Sequence, residues 1–237
     1  MTPVSNAANK VVIVTGAASG IGAATAAELR SRGWSVAGFD LVQVPDCALS
    51  VEVDMSDPVA VQTAVTAVES TLGGVSAVVS AAGYYEMIPV AEISVDRWRR
   101  MLSVHLGGFV NLARAVLPGM VERGSGSLVA VTSELAIGGG SNDAHYAAAK
   151  GALIGVMRSL AVEVAPQGIR VNAVAPGPTD TPLLPADSPW RAPEYLATLP
   201  LGRLTSPDEV ALCIAFLVDN GTFLVGEILN PNAGAVI

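Results

Sequence analysis

The chain has 237 residues, 51% of them hydrophobic and only 14% charged, with a formal net charge of −8. That acidic balance argues against a nucleic-acid partner, since phosphate contact needs a concentrated basic surface. Cys47 and Cys213 lie far apart and outside any CxxC, and with only His105 and His145 beside them no catalytic-zinc ligand set is apparent.

The opening MTPVSNAANK has no basic-then-apolar signal pattern, and Gly, Ser or charge breaks the apolar runs before the roughly 18 residues that a membrane span needs. A cytoplasmic protein with no membrane partner is expected, its cysteines acting as buried small hydrophobes in a reducing compartment. In chain order, KVVIVT (10–15) predicts a strand, 20–32 a helix, WSVAGF (34–39) and the shorter SVEV (50–53) strands, and 57–72 a helix. SAVVSA (76–81) follows as a strand, 106–123 as a helix, SLVAVT (127–132) as a strand, 145–165 as a helix and IRVNAV (169–174) as a strand. The proline-rich 176–206 predicts a long substrate loop or lid with short helices, followed by a helix at 207–219 and a strand at FLVGEIL (223–229). Near-continuous apolar strands alternating with helices predict a doubly wound α/β fold, a parallel sheet of about seven strands joined by right-handed crossovers. With no repeat, linker or composition break, residues 1–237 read as a single domain.

The first strand runs into TGAASGIG (15–22), where Gly16, Gly20 and Gly22 allow a tight turn and a close backbone approach to a pyrophosphate. The helix that follows offers unpaired N–H groups to such an anion. The spacing is GxxxGxG rather than GxGxxG, and tight packing alone is the competing explanation. Asp40 ends the second strand, 18 residues beyond Gly22. A carboxylate there accepts from a ribose diol and repels a 2′-phosphate, which favours NAD over NADP unless Asp40 is merely a turn residue. In DAHYAAAKGAL (143–153), Tyr146 and Lys150 share one helix face. Taken alone, that pair fits an aromatic packed under a lysine stem as well as it fits a catalytic pair.

TGAASGIG, Ser133 in VTSE, YAAAK at 146–150 and NAVAPGPTDT at 172–181 together resemble the short-chain dehydrogenase/reductase family, over nearly the whole chain. Ser133 precedes Tyr146 by 13 residues, the separation expected in that family. The resemblance implies a Rossmann-type domain, a nicotinamide cofactor, alcohol–carbonyl interconversion and a homotetramer or homodimer. It implies that Tyr146 is the general acid/base, that Lys150 lowers the phenol pKa and holds the nicotinamide ribose, and that Ser133 hydrogen-bonds the substrate oxygen. Gly16, Ser19, Gly20, Ile21 and Gly22 would line the pyrophosphate turn, with Asp40 on the adenosine ribose. Asp54 and Met55 match the adenine position, and Ala82 and Gly83 lie beside the cofactor. Pro176, Gly177, Thr179 and Thr181 match the nicotinamide side.

Two positions depart from the family pattern. SAAG at 80–83 replaces the usual NNAG, so Ala81 lacks an amide, with a modest structural consequence expected. His105 stands where the family commonly has an asparagine that helps to hold a water chain to the lysine. An imidazole there can relay protons, titrate near neutral pH or fill space. His145, about 100° around the helix from Tyr146, is expected at the cleft rim or surface.

For substrate contacts the candidates are Tyr84, Glu134, Leu135, Leu183, Leu184 and Trp190, joined by Tyr85, Met87, Ile88, Ile137 and Tyr195. This apolar and aromatic set fits a small-to-medium uncharged alcohol or ketone, cyclic, aromatic, steroid-like or dihydrodiol, with Glu86 or Glu134 available for a second hydroxyl. Arg191 is the one lid cation. Two rival readings are a 3-oxoacyl-carrier-protein reductase, against which Asp40 and the acidic charge count, and a catalytically weak dinucleotide-binding sensor or scaffold. Helix 145–165 has small and apolar residues almost all round, which predicts that part of it packs on another subunit.

Overall fold

The valine-rich runs become strands because both of their faces are covered. In the computed structural model, which describes residues 10–236, Val11 to Val14 and Leu128 to Ala130 have no solvent exposure. The strands are β1 Val11–Thr15, β2 Ser35–Asp40, β3 Leu49–Glu52, β4 Ala77–Ser80, β5 Gly126–Val131, β6 Ile169–Val174 and β7 Ile228–Leu229. All pair in parallel, in the order β3-β2-β1-β4-β5-β6-β7.

Alternation along each strand feeds two cores. Val11 and Ile13 face one layer, made by helices α2 (Pro58–Leu72), α4 (Gly108–Arg123) and α6 (Ala144–Val164), through Val65, Leu112 and Met157 among others. Val12 and Val14 face the other, made by α1 (Gly20–Ser31) and α8 (Pro207–Asp219) through Leu29, Ile214 and Leu217. Local signals start the helices where they stand. Asp57 accepts from Val59 N and Ala60 N ahead of Pro58, and Ser206 forms a capping box with Glu209.

Three features differ from the sequence expectation. A short arginine-rich helix, α3 (Val95–Leu102), capped by Ser94, runs through a π-helical turn at Ser103–Gly107 into α4. The resulting 29-residue rod, Val95–Arg123, is long and apolar enough by composition to cross a membrane, contrary to the reading of interrupted runs. Here Phe109, Leu112, Val116 and Met120 of that rod are buried on the sheet instead. The last strand shrinks from 223–229 to two residues, because Gly226 turns the chain at φ +73. Asn172 spans the irregular stretch, donating to Leu224 O and accepting from Glu227 N, while Phe223 is 76% exposed. Cys47 and Cys213 are free and half-buried rather than buried, and partial burial raises both thiol pKa values.

The strand order reverses between β1 and β4, and a crevice opens beyond the C-terminal ends of those strands. The Thr15 hydroxyl, at the end of β1, accepts from Ala81 N and Ala82 N, each at 3.0 Å. This single oxygen ties the two lips of the crevice together. The region 176–206 forms a cover with a 3-10 turn at Pro189–Arg191 and a short helix, α7 (Pro193–Leu196), as the prolines led us to expect.

Candidate active site

One side of the crevice is a groove floored by the glycine-rich turn. Gly16 has φ +68, and a Cβ there would sit 2.9 Å from the Ala82 backbone. A Cβ on Gly22 would collide with the Gly16 carbonyl. Ser19 occupies the N-cap of α1 without a side-chain capping bond, so its hydroxyl and the first helix N–H groups face the groove. Asp40 is more than a turn residue. Its Oδ2 accepts from Ala18 N at 3.0 Å and its Oδ1 from Leu41 N at 2.7 Å, which clamps the carboxylate to the glycine-rich turn.

Asp54 Oδ1 is held by the backbone and hydroxyl of Ser56, each at 2.8 Å, with buried Met55 beside it. Gly20, Ile21, Ala82, Gly83 and Thr181 complete the walls, and all of these predicted residues share one groove. Arg100 and Ser103 also line it and were missed, because the helix carrying them was not predicted. The donor set fits a dinucleotide: a close backbone cradle for a pyrophosphate at a helix N-terminus, and a fixed carboxylate for a ribose diol.

The groove continues into a cleft lined by Ser133, Glu134, Tyr146 and Lys150, with Pro176, Gly177 and Thr179 on the far side. Ser133 leaves the end of β5 just ahead of the short helix α5 (Leu135–Gly138), and Tyr146 and Lys150 are stacked on the first turns of α6. Lys150 Nζ donates to Val131 O at 2.8 Å and lies 5.6 Å from the Tyr146 ring centroid. Thr132 Oγ1 donates to Lys150 O at 2.9 Å, locking the helix to the strand end.

Burial pushes the Tyr146 phenol pKa up and the nearby Glu134 charge adds to this, whereas the Ser133 hydroxyl pulls it down. Burial also lowers Lys150 to about 7. The expected depression of the phenol by Lys150 is therefore not what dominates here; burial of the phenol outweighs it.

His105 lies on the π-helical turn, 3% exposed, its ring edge-on to Tyr146 at 5.5 Å and 89°. Its Nε2 is 2.9 Å from Tyr84 O and 3.3 Å from Tyr84 N, donating to the first in one tautomer and accepting from the second in the other, while Nδ1 has no partner among the described residues. A Cβ on Gly83 would collide with this ring, so the glycine is what makes room for it. Burial, then the nearby Lys150 charge, lowers the imidazole pKa to about 3. That removes titration near neutral pH from the three roles open to it and leaves relay or packing. The unfolded ring takes a proton near pH 6.5 that the native ring refuses down to about 3, so this residue costs stability as pH falls through that window. Urea denaturation should show the stability lead of wild type over His105→Asn shrinking by about 1–2 kcal/mol from pH 7 to pH 5. A pH-independent difference would contradict the buried neutral ring.

All six predicted substrate residues line the same cleft: Tyr84, Glu134, Leu135, Leu183, Leu184 and Trp190. Of the further candidates Tyr85 lines it too, whereas Met87, Ile88, Ile137 and Tyr195 do not, Met87 and Ile137 being 39% and 51% exposed. A chain of hydrogen bonds closes the cover: Trp190 Nε1 donates to Tyr85 OH at 3.1 Å, and Tyr85 OH donates to Asp143 Oδ1 at 2.6 Å. The Tyr85 ring packs edge-on against Tyr146 at 5.0 Å. Asp143 was overlooked because an aspartate before a helix reads as a cap, yet it makes no capping bond.

His145 is not at the rim. It is wholly buried, edge-on to Trp98, with Nε2 3.6 Å from Glu86. The unpredicted α3 covers the face on which an isolated α6 would have exposed it. Arg191 is spent on Asp180 Oδ1 at 2.7 Å and on the carbonyls of Leu184 and Thr181, so it is not a free cation for substrate.

A parallel sheet with a dinucleotide cradle at its switch point and a serine–tyrosine–lysine cleft beside it defines a Rossmann-type oxidoreductase. A family model described as Enoyl-(Acyl carrier protein) reductase matches residues 16–235, and the chain belongs to the short-chain dehydrogenase/reductase family. It is 41% identical over 243 residues to cis-4-hydroxycyclohexanecarboxylate dehydrogenase of Sinomonas cyclohexanicum, covering 96% of each protein. To the 3-oxoacyl-[acyl-carrier-protein] reductase FabG of Vibrio cholerae it is 33% identical, covering 97% of this chain and 98% of that one. Among solved structures, the 3-ketoacyl-(acyl-carrier-protein) reductase of Brucella melitensis complexed with NADH superposes with a TM-score of 0.89 at 30% identity. That match covers 96% of this chain and 98% of the other.

Proposed function

We propose that this oxidoreductase interconverts a secondary alcohol and a ketone with NAD(H), and that the whole chain acts as one catalytic domain. The observation that carries this reading is the meeting of Ser133, Tyr146 and Lys150 in a buried cleft that opens onto the groove holding Asp40. The cofactor would supply the hydride acceptor. In reduction Tyr146, whose buried phenol keeps its proton, would give that proton to the carbonyl oxygen, and in oxidation the phenolate would take it back; Ser133 would donate to the same oxygen, and Lys150 would hold the nicotinamide ribose and Tyr146 in register. Ser19 and the helix N-terminus would hold the pyrophosphate, Asp54 and Met55 the adenine, and Thr179 and Thr181 the nicotinamide side. Asp40 supports NAD over NADP, because its carboxylate is clamped at the turn where a ribose would sit and, among the described residues, no cation is bonded to it.

The substrate we infer is small to medium in size, mostly apolar and cyclic or aromatic. The cleft offers Tyr84, Tyr85, Leu184 and Trp190, and among the described residues no arginine lines it to hold a carboxylate or phosphate. The relative from Sinomonas cyclohexanicum, named for a hydroxylated cyclohexane acid, supports a cyclic alcohol. Residues Ala148, Gly155 and Val162 leave an open small-residue face on α6, which supports packing on a second subunit in a cytoplasmic homotetramer or homodimer. An absorbance screen of cyclic and aromatic secondary alcohols, run with NAD⁺ and NADP⁺ side by side, tests the reading. We expect at least a tenfold preference for NAD⁺ in kcat/KM. Faster turnover of a 3-oxoacyl thioester with NADPH would replace it with an acyl-reductase function, and no turnover with any carbonyl or alcohol would favour a binding-only role.

A further inference from the structure

The Ser133 hydroxyl has one proton to donate. In the structure it goes to Glu134 Oε2 at 2.9 Å, while Ser133 Oγ accepts from Leu135 N at 3.2 Å. Both side chains are buried, Ser133 5% and Glu134 6% exposed, and both line the cleft. A hydroxyl committed in this way cannot also donate to a substrate oxygen.

We propose that Glu134 is a positioning residue that sets the direction of the Ser133 hydroxyl. An ionised carboxylate captures its proton, whereas a carboxylic acid, having taken a proton from solvent, donates to Ser133 Oγ and frees the serine proton for the substrate. In the second state Ser133 Oγ uses both acceptor sites, one for Leu135 N and one for the acid, so its own proton must point elsewhere. The inference rests on the reading of Ser133 as the donor to the substrate oxygen.

The surroundings make the acid form accessible. Burial raises the Glu134 pKa to about 7, opposed by the Ser133 hydroxyl and by the Glu134 and Leu135 backbone N–H groups, and assisted by the Asp143 carboxylate. Tyr146 faces it from α6 and Tyr195 from the cover, the latter raised to about 12 chiefly by burial and then by the Glu134 charge. Lys150, on the same helix as Tyr146, spends its hydrogen bond on Val131 O, and His105 across the cleft is neutral. Among the described residues, no salt bridge stabilises the Glu134 carboxylate.

The test is the pH dependence of kcat/KM for ketone reduction at saturating NADH. Losing one oxyanion donor costs about 10²–10³-fold, so a partial loss of about tenfold is expected for wild type between pH 6 and 8.5. In Glu134→Gln the amide N–H donates to Ser133 at every pH. The inflection near pH 7 should therefore vanish, and activity at pH 8.5 should exceed that of wild type by about tenfold. An inflection that survives in Glu134→Gln belongs to Lys150 and overturns the proposal.

Infrared difference spectra give a readout that a purely structural role would not move. A carboxylic-acid C=O band should bleach between pH 6 and 8 in wild type, be absent in Glu134→Gln and titrate at higher pH in Ser133→Ala, where the carboxylate has lost its donor. A band that is missing, or unmoved by Ser133→Ala, also overturns it. If Ser133→Ala instead keeps full turnover, the serine reading itself fails, a result distinct from either of these.

Discussion

Replacing Tyr146 with phenylalanine should lower kcat by about 10³-fold or more while leaving the NADH dissociation constant within about threefold. The substitution removes one oxygen. It keeps the ring that packs edge-on against Tyr85 at 5.0 Å and His105 at 5.5 Å, so the buried cluster stays filled. In the proposed reaction no other group can take the alcohol proton. Ser133 is committed to Glu134, His105 is held neutral with its Nε2 on Tyr84 O, and Lys150 donates to Val131 O. Stopped-flow turnover and NADH fluorescence titration of the same preparation separate chemistry from binding. Turnover within tenfold of wild type would remove Tyr146 from the proton path. A parallel loss of NADH binding would mean that the variant had lost its shape rather than its acid.

The second large effect is expected at Gly22. An alanine there places its Cβ against the Gly16 carbonyl and within 3.1 Å of Ala17 N, both backbone atoms that cannot swing aside. Relief requires the glycine-rich turn to open. The turn is fastened by Gly16 N to Phe39 O at 2.8 Å and, through Ala18 N, to Asp40 at 3.0 Å. Overpacking of this kind costs about 1–3 kcal/mol or more. For a chain of this size that corresponds to a fall in melting temperature of roughly 6–12 °C at the upper end of the range. Because the displaced turn is the pyrophosphate cradle, NADH should also cease to raise the melting temperature of Gly22→Ala. A thermal scan with and without NADH checks both effects. Unaltered stabilisation by NADH would show that the cradle lies elsewhere.

The groove was largely legible because its parts are local. Gly16, Gly20 and Gly22 sit within one strand–turn–helix unit, and Asp40 ends the neighbouring strand. Parallel pairing of Thr15 with Phe39 therefore brings the carboxylate to the turn. Tyr146 and Lys150 were legible for the same reason, since four residues make about one helical turn. Where contacts depend on distant segments, the reading failed or stopped short. The burial of His145 depends on α3, a short and strongly charged helix that the sequence reading passed over. Trp190 meets Tyr85 across 105 residues, and no spacing rule reaches that far. The final strand was overdrawn because an apolar run says nothing about the left-handed turn at Gly226.

The sequence by itself determined the doubly wound sheet, the glycine-rich turn and the shared helix face of Tyr146 and Lys150, because periodicity and backbone sterics act over a few residues; Ser133 joined them through the family resemblance. Only the tertiary structure decided the protonation landscape around that set. Burial is a property of what packs from elsewhere in the chain, and it holds His105 neutral, raises Glu134 and lowers Lys150. It also decided that Arg191 is tied to Asp180 and that Ser133 points at Glu134, since both depend on how the segments following β5 and β6 fold over the cleft.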